Sequence, residues 1–325
     1  MARLLSMEDV KRTITMDDVL PAVEEVFKEY ALGKTYMPSK IYLDIPGYGD
    51  FRAMPSYVPS INTAGLKWVN VHPENPRKGI PTVMGTIMLS KPETGEILSI
   101  MDGTYVTDMR TGAAGGVAAK YLARKDTSVI GLVGSGEQAW TQMLAYKCVF
   151  GDRIKLVKVY SRTLSHAEKF AKRVQDKMGY NAKAFEKCED AVDADLVATV
   201  TPARSPVVMS GWIKPGTHIN AIGADAPGKQ ELETELTLRS RIFVDSYDQT
   251  SHSGEINIPW GQGLLNEKML AGSIGEVIAG IKPGRTDDEE ITIFDSTGLA
   301  IQDMATAHIV YEKSMKGNMG TEFNF

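Results

Sequence analysis

The sequence predicts an α/β chain in which an α+β domain comes first and a doubly wound parallel sheet follows. Three observations carry this reading. Short β-type runs joined by tight turns fill the stretch from about Lys40 to Met101, apolar strands alternate with helices after Ser128, and a glycine-rich turn, Gly134-Ser135-Gly136, stands where the first of those strands meets its helix. With 325 residues, 43% of them apolar, the chain can fill about two cores of roughly 150 residues each. The expected division is 1–115 with 300–325 as one domain and 116–299 as the other.

Thr15 and Asp18 make a capping box that opens a helix. Its apolar positions Val19, Leu20, Val23, Val26, Phe27 and Tyr30 recur at steps of three and four, so one face packs on a core. From about Lys40 the period changes. Runs at 40–44, 64–71, 82–89 and 96–101 read as strands, and the turn-rich Ser90-Lys91-Pro92-Glu93-Thr94-Gly95 makes the last two antiparallel neighbours. Residues 104–123 read as a helix crowded with small residues, among them Gly112, Ala113, Ala114, Gly115 and Gly116. That costs helix propensity but permits either tight packing on a sheet or close approach of a ligand. Strands at 129–133, 156–160, 195–200, 218–222, 241–245 and 291–294 then alternate with helices at 138–150 and 165–178, the pattern of a parallel sheet with helices on both faces. A last helix, 299–315, is expected to return to the first domain.

Composition excludes several function classes. There are 41 acidic and 36 basic residues, a net charge of −5, and the basic residues form no runs, so a nucleic-acid partner is not expected. The two cysteines, Cys148 and Cys188, lie too far apart for a paired metal site and read as core thiols in a reducing, cytoplasmic setting. The N-terminus turns acidic at Glu8-Asp9 and no 18 apolar residues run together, so neither a signal peptide nor a membrane partner is expected. The 5 histidines form no HxxxH pair, and neither GxSxG nor a phosphate loop ending Gly-Lys-Ser/Thr occurs. Metal and serine-hydrolase chemistry are disfavoured, and no metal is expected.

Ile130-Gly131-Leu132-Val133 runs straight into Gly134-Ser135-Gly136-Glu137-Gln138-Ala139, a GxGxxA turn that opens a helix. Gly134 permits the sharp turn, Gly136 admits backbone close to a pyrophosphate, and Ala139 lets helix lie on strand, while the free N–H groups of the helix N-terminus face the phosphates. Alone, such a turn is weak evidence. With strand, turn, helix and next strand in order it predicts a Rossmann-type site for NAD or NADP, with Ser135, Glu137 and Gln138 among its contacts. About 20 residues further on, NAD-preferring proteins commonly place an acid on the ribose 2′-hydroxyl. Here the second strand ends Ser161-Arg162-Thr163. Two hydroxyls and a guanidinium suit a 2′-phosphate, which favours NADP and leaves dual use open; Arg162 stacking on adenine or facing solvent is the other reading.

Ligands of open parallel sheets sit beyond the carboxyl ends of the strands. Later ends carry Thr201-Pro202, Gly223-Ala224-Asp225 and Ser296-Thr297-Gly298. Asp225 is either a turn-forming carboxylate or an acid/base group near the nicotinamide. The first domain supplies cations: Arg52 beside Met54-Pro55, Lys67 within Gly65-Leu66-Lys67-Trp68-Val69-Asn70, and Arg110 on the small-residue helix. Lys67 points away from Leu66 and Trp68, either to solvent or into a cleft with Gly65, Val69 and Val71.

These segments, with Asp50-Phe51-Arg52-Ala53-Met54-Pro55, His72-Pro73, Met109 to Gly116, Asn220 to Asp225 and Asp295 to Asp303, resemble the ornithine cyclodeaminase/μ-crystallin family nearly end to end, and within it the archaeal-type alanine dehydrogenases. The resemblance implies a homodimer. Its first domain, completed by the last helix, makes the subunit contact and the substrate floor, and the central domain binds NAD or NADP. It implies Arg52, Lys67 and Arg110 as substrate-side cations, Lys67 and Asp225 as catalytic groups, and Thr82, Arg110, Thr111, Thr201, Pro202, Gly223, Ala224, Asp225, Ser296 and Gly298 among the cofactor contacts.

The implied activity is reversible reductive amination of pyruvate with ammonia to L-alanine, because ornithine cyclodeaminases carry an acid where this chain has Arg52, and a cation would repel a second amine. Arg52 and Arg110 would grip the carboxylate in bidentate fashion, and the two would lower the pKa of Lys67 for proton exchange. A ketimine or Δ1-pyrroline-2-carboxylate reductase, an ornithine cyclodeaminase and a non-enzymatic μ-crystallin-like binding protein are the alternatives.

Overall fold

Alternation of apolar and polar residues in the first third of the chain builds one mixed sheet. In a computed structural model that describes residues 1–324, strands β1 (Ala2–Leu5), β2 (Ile41–Ile45), β3 (Gly49–Val58), β4 (Thr63–Val71), β5 (Val83–Ser90) and β6 (Ile97–Asp102) are joined by a C-terminal strand, Thr321–Phe323. The order is Thr321–Phe323, β1, β6, β5, β4, β3, β2; only β1 and β6 pair parallel. Register sets Met54 opposite Lys67 and Lys67 opposite Ile87, so Arg52, Met54, Lys67, Val69, Ile87 and Leu89 share one buried face. The other face carries Ile41, Leu43, Trp68 and Met84, all exposed, with Phe51 stacked on Trp68 at 5.3 Å between centroids. The buried face is covered by the helix Ala300–Lys316, which packs on β3, β4 and the helix Met16–Ala31. Contact there is close: a Cβ on Gly65 would lie 2.6 Å from the Met304 sulfur.

The capping box at Thr15 is present, with the Thr15 N–H donating to Asp18 at 2.9 Å, and Val19, Val23, Val26 and Phe27 face inward. Several elements were not foreseen, among them one helix and two strands in the first third of the chain. Ser6 and Asp9 form a second capping box that starts a helix at Met7. β1 pairs with residues far along the chain, and β3, flanked by Gly47-Tyr48-Gly49 and interrupted by Pro55, gives no clean strand signal yet lies between β2 and β4.

Residues 111–298 build the parallel sheet. Its strands are β7 (Val129–Val133), β8 (Leu156–Tyr160), β9 (Ala182–Phe185), β10 (Leu196–Thr199), β11 (His218–Ala221), β12 (Arg241–Val244), β13 (Gly272–Ser273) and β14 (Thr292–Asp295). They lie in the order β9-β8-β7-β10-β11-β14-β12-β13, all parallel. This is the expected Rossmann-type sheet, and the order reverses between β7 and β10, where such folds bind ligands. β14, the last strand in sequence, inserts between β11 and β12. One apolar core includes Ile130, Leu132, Tyr146, Val157 and Phe170, a second Val197, Ile219, Leu236, Ile242 and Ile293.

The chain divides into two compact units, Met1–Arg110 with Leu299–Phe325 and Thr111–Gly298, and the division falls inside the helix Thr104–Leu122. Glycines let that helix lie tightly against its neighbours: a Cβ on Gly112 would strike Thr141. Asn220 donates to the Gly115 carbonyl and to Tyr146 Oη, each at 2.8 Å, and Tyr146 donates to Gln142 at 2.9 Å. Among the described residues no helix is long and apolar enough to cross a membrane.

Candidate active site

In the first unit the alternation of β4 that exposes Trp68 buries Lys67, which is 1% exposed. Its ammonium lies 2.8 Å from the Asp303 carboxylate and donates to Thr107 Oγ1 at 3.3 Å. Asp303, itself fully buried, also accepts from Arg110 Nε at 3.0 Å, and Arg110 Nη1 donates to Gln302 Oε1 at 2.9 Å. Lys67 and Arg110 therefore share a single carboxylate. Burial pushes the Lys67 pKa down to about 7, helped by the nearby Arg110 and Lys40 and opposed by Asp303.

Arg52 and Arg110 each hold acceptors of their own. Arg52 is forked onto Asp50, Nε at 2.7 Å and Nη2 at 3.3 Å, and lies over the Tyr42 ring, so Asp50 offsets its charge. Arg110 spends its Nε–H and one N–H of Nη1 on Asp303 and Gln302, which leaves N–H groups on Nη1 and Nη2 for a carboxylate. Thr82 is half-buried just before β5, its carbonyl accepting from the His72 N–H at 2.8 Å.

In the second unit the turn after β7 has the geometry a dinucleotide needs. Gly134 has φ +118°, and a Cβ there would lie 2.8 Å from Val200 Cγ2, so only glycine fits. Gly136 caps the helix Glu137–Phe150 without a side-chain hydrogen bond, and a Cβ on it would meet no atom of the protein. No internal packing demands glycine at that position, and the capping glycine itself offers the helix N–H groups no side-chain acceptor, which fits a pyrophosphate. Ala139 is fully buried; Ser135 and Gln138 are half-buried; Glu137 is exposed and paired with Arg173 at 2.8 Å. Beyond β8, Ser161 is half-buried and Arg162 and Thr163 are exposed, with no acid among the three.

The strand ends next to the switch point are tied together by an acid that the sequence reading missed. Glu231, fully buried, accepts from Thr199 Oγ1 (2.8 Å), from the Thr201 N–H and hydroxyl (2.6 and 2.7 Å) and from the Gly223 N–H (2.9 Å). Burial raises its pKa against these donors. Thr201, Gly223 and Ala224 are thus held beside one another, with Pro202 exposed. Asp225 follows in the loop after β11, half-buried, with Oδ1 2.5 Å from Lys229 Nζ. Beyond β14, Asp245 gathers the N–H groups of Thr297 and Gly298, both at 2.7 Å, with Ser296 buried beside them. Thr111 is buried, its carbonyl accepting from Gln142 at 3.1 Å. Asp303 and Gln302 had one readable signal, an acid and an amide side by side in the otherwise apolar run Ala300-Ile301 to Met304-Ala305.

Comparison with known proteins identifies the family. Alanine dehydrogenase of Archaeoglobus fulgidus is 51% identical over 322 residues, 99% of this chain and 98% of that protein. The structure of an archaeal alanine dehydrogenase dimer with bound NAD matches with a TM-score of 0.96 at 50% identity, covering 100% of this chain and 99% of that one. Δ1-Pyrroline-2-carboxylate reductase of Thermococcus litoralis, in complex with NADH and L-proline, matches with a TM-score of 0.96 at 40% identity, covering 99% and 100%. The sequence model of the ornithine cyclodeaminase/mu-crystallin family matches residues 2–318, and the chain belongs to that family.

Proposed function

We propose that this enzyme, a nicotinamide-dependent oxidoreductase, catalyses the reversible reductive amination of pyruvate with ammonia to L-alanine. The observation that carries the reading is the buried cationic cluster of Lys67 and Arg110, with Arg52 on the same sheet face: it suits a small carboxylate and disfavours a substrate with a second amine. The likeness to the Archaeoglobus fulgidus alanine dehydrogenase points the same way.

Arg110 Nη2 and Arg52 bind the substrate carboxylate. Lys67, with a pKa near 7, gives a proton to the keto oxygen as ammonia adds and water leaves. Asp225, steadied by Lys229, takes the second proton-transfer role. Gly134, Ser135 and Gly136 with Ser161 to Thr163 would hold the dinucleotide, which when bound would supply or accept the hydride. Exposed Arg162 with Ser161 suits a 2′-phosphate, so NADPH is used in preference to NADH or beside it. The first unit serves the substrate and the subunit contact, the second the cofactor, in a cytoplasmic homodimer.

A second reading, reduction of a cyclic imino acid, is favoured by the Thermococcus litoralis relative, because hydride transfer to C=N uses the same groups. Cofactor oxidation is followed with NADH and NADPH, comparing pyruvate plus ammonium against Δ1-pyrroline-2-carboxylate. Faster turnover with pyruvate and ammonium supports the alanine reading. Turnover with the cyclic imine alone replaces it, and silence with both leaves cyclodeaminase chemistry or ligand binding.

A further inference from the structure

Two cations sharing one buried carboxylate leave a net positive charge where water is excluded. Lys67 and Asp303 are 1% and 0% exposed, and Arg110 has 8% of its side chain exposed. Arg52 adds little to this, because Asp50 is paired with it. Lys40, 9% exposed, acts on Lys67 in the same direction, while Thr107 and Gln302 are neutral. An uncompensated buried charge is costly and is removed either by losing a proton or by gaining an anion. Arg110 cannot deprotonate, so only Lys67 can release the proton.

We propose that Asp303 is a positioning residue that holds Lys67 and Arg110 around one carboxylate, so that binding of a substrate carboxylate loads the proton onto Lys67. Without substrate, the neutral amine balances the Arg110–Asp303 pair. With a carboxylate on Arg110 Nη2, a second negative charge enters the cluster and the ammonium form becomes the balanced one. The proton comes from solvent on binding and is passed to the keto oxygen or imine nitrogen during reaction, so substrate recognition arms the acid. Asp303 acts through the lysine and touches no substrate atom. This rests on the proposed function in one respect, that the substrate is a small 2-oxo or 2-imino carboxylate.

The titration of Lys67 tests the idea without turnover. Protein labelled with [ε-13C]lysine shows a Lys67 resonance identified by its loss in Lys67→Gln, and its shift is followed against pH. In free enzyme the midpoint is expected near 7. Asp303→Asn should move it down by about one unit or more, and Asp303→Glu, which keeps the charge if the Asn variant does not fold, should restore most of it. With NAD+ present, so that no hydride can be transferred to the ligand, pyruvate should move the wild-type midpoint up by about one unit or more. A shift with Δ1-pyrroline-2-carboxylate but not pyruvate would remove the alanine reading and leave the inference standing. A midpoint that neither acid moves, or that is the same in wild type and both Asp303 variants, would overturn it.

Discussion

Lys67 is held in a state that stability alone would not select. Its folded pKa is about 7 against 10.5 for an exposed lysine, so between those values the native state binds fewer protons than the unfolded chain. Stability therefore rises with pH through that window, and at and below pH 7 the charged side chain weighs against folding. Lys67→Met should lower turnover by about 10²–10⁴-fold yet raise unfolding stability at pH 7 by on the order of 1 kcal/mol, since Asp303 keeps Arg110 as a matched partner. Steady-state rates and urea unfolding curves measured together check this; full turnover in the variant removes Lys67 from the mechanism. At the cofactor end, Arg162→Asp should weaken NADPH binding about tenfold or more and leave NADH within a few-fold. Equal losses for both in a fluorescence titration would refute the 2′-phosphate role.

The elements that carry these residues differ in what they tolerate. Of the two glycines in the turn after β7, Gly134 is demanded by the fold, through its positive φ and the approach of Val200, and Gly136 is not. Gly134→Ala should cost about 1–3 kcal/mol of stability, whereas Gly136→Ala should unfold within about 0.5 kcal/mol of wild type while losing dinucleotide affinity. Chemical denaturation and cofactor titration of the two variants separate the roles. The Thr104–Leu122 helix is tied to β11 by a buried polar chain in which His218 bonds Thr292 at 2.9 Å and Asn220 at 3.0 Å, and Asn220 bonds Gly115. Burial lowers the His218 pKa to about 3, with Arg285 adding to the effect. The unfolded chain takes up this proton first as pH falls from 6.5, so stability present above 6.5 is lost progressively toward 3. Asn220→Ala, which leaves several buried groups without partners, should cost about 2–4 kcal/mol, and His218→Met should flatten the acid limb of a stability–pH curve.

At the scale of the whole molecule, the outer face of the first unit's sheet exposes large apolar side chains. Ile41 (64% exposed), Leu43 (52%), Trp68 (41%) and Met84 (37%) lie on one face, beside the edge strand β2. A contiguous apolar face of this kind suits a second copy of the chain. Trp68→Glu should shift the species seen by light scattering toward the 35.5 kDa of one chain, without loss of the secondary structure read by circular dichroism. An unchanged assembly would place the subunit contact elsewhere.

Much of the parallel sheet was legible because its signals are local. Apolar runs mark β7 and β8, small residues mark the turn that follows β7, and strand, turn and helix are contiguous, so the Rossmann-type site could be read without knowing where the rest of the chain goes. The cationic residues could be named, but not their arrangement. Lys67 meets Asp303 across 236 positions and Arg110 meets it across 193. Glu231 reaches back 32 positions to Thr199, and β14 enters the sheet between β11 and β12. β3, punctuated by proline and glycine, is a strand only because β2 and β4 supply its partners. By itself, then, the sequence determined the fold class and the glycine-rich turn after β7, which follow from short-range backbone preference and hydrophobic period, and it named the candidate residues by chemical type. Only the tertiary structure decided which acid each buried cation holds, because burial makes that pairing obligatory and chain closure over hundreds of residues, not local propensity, selects the partner.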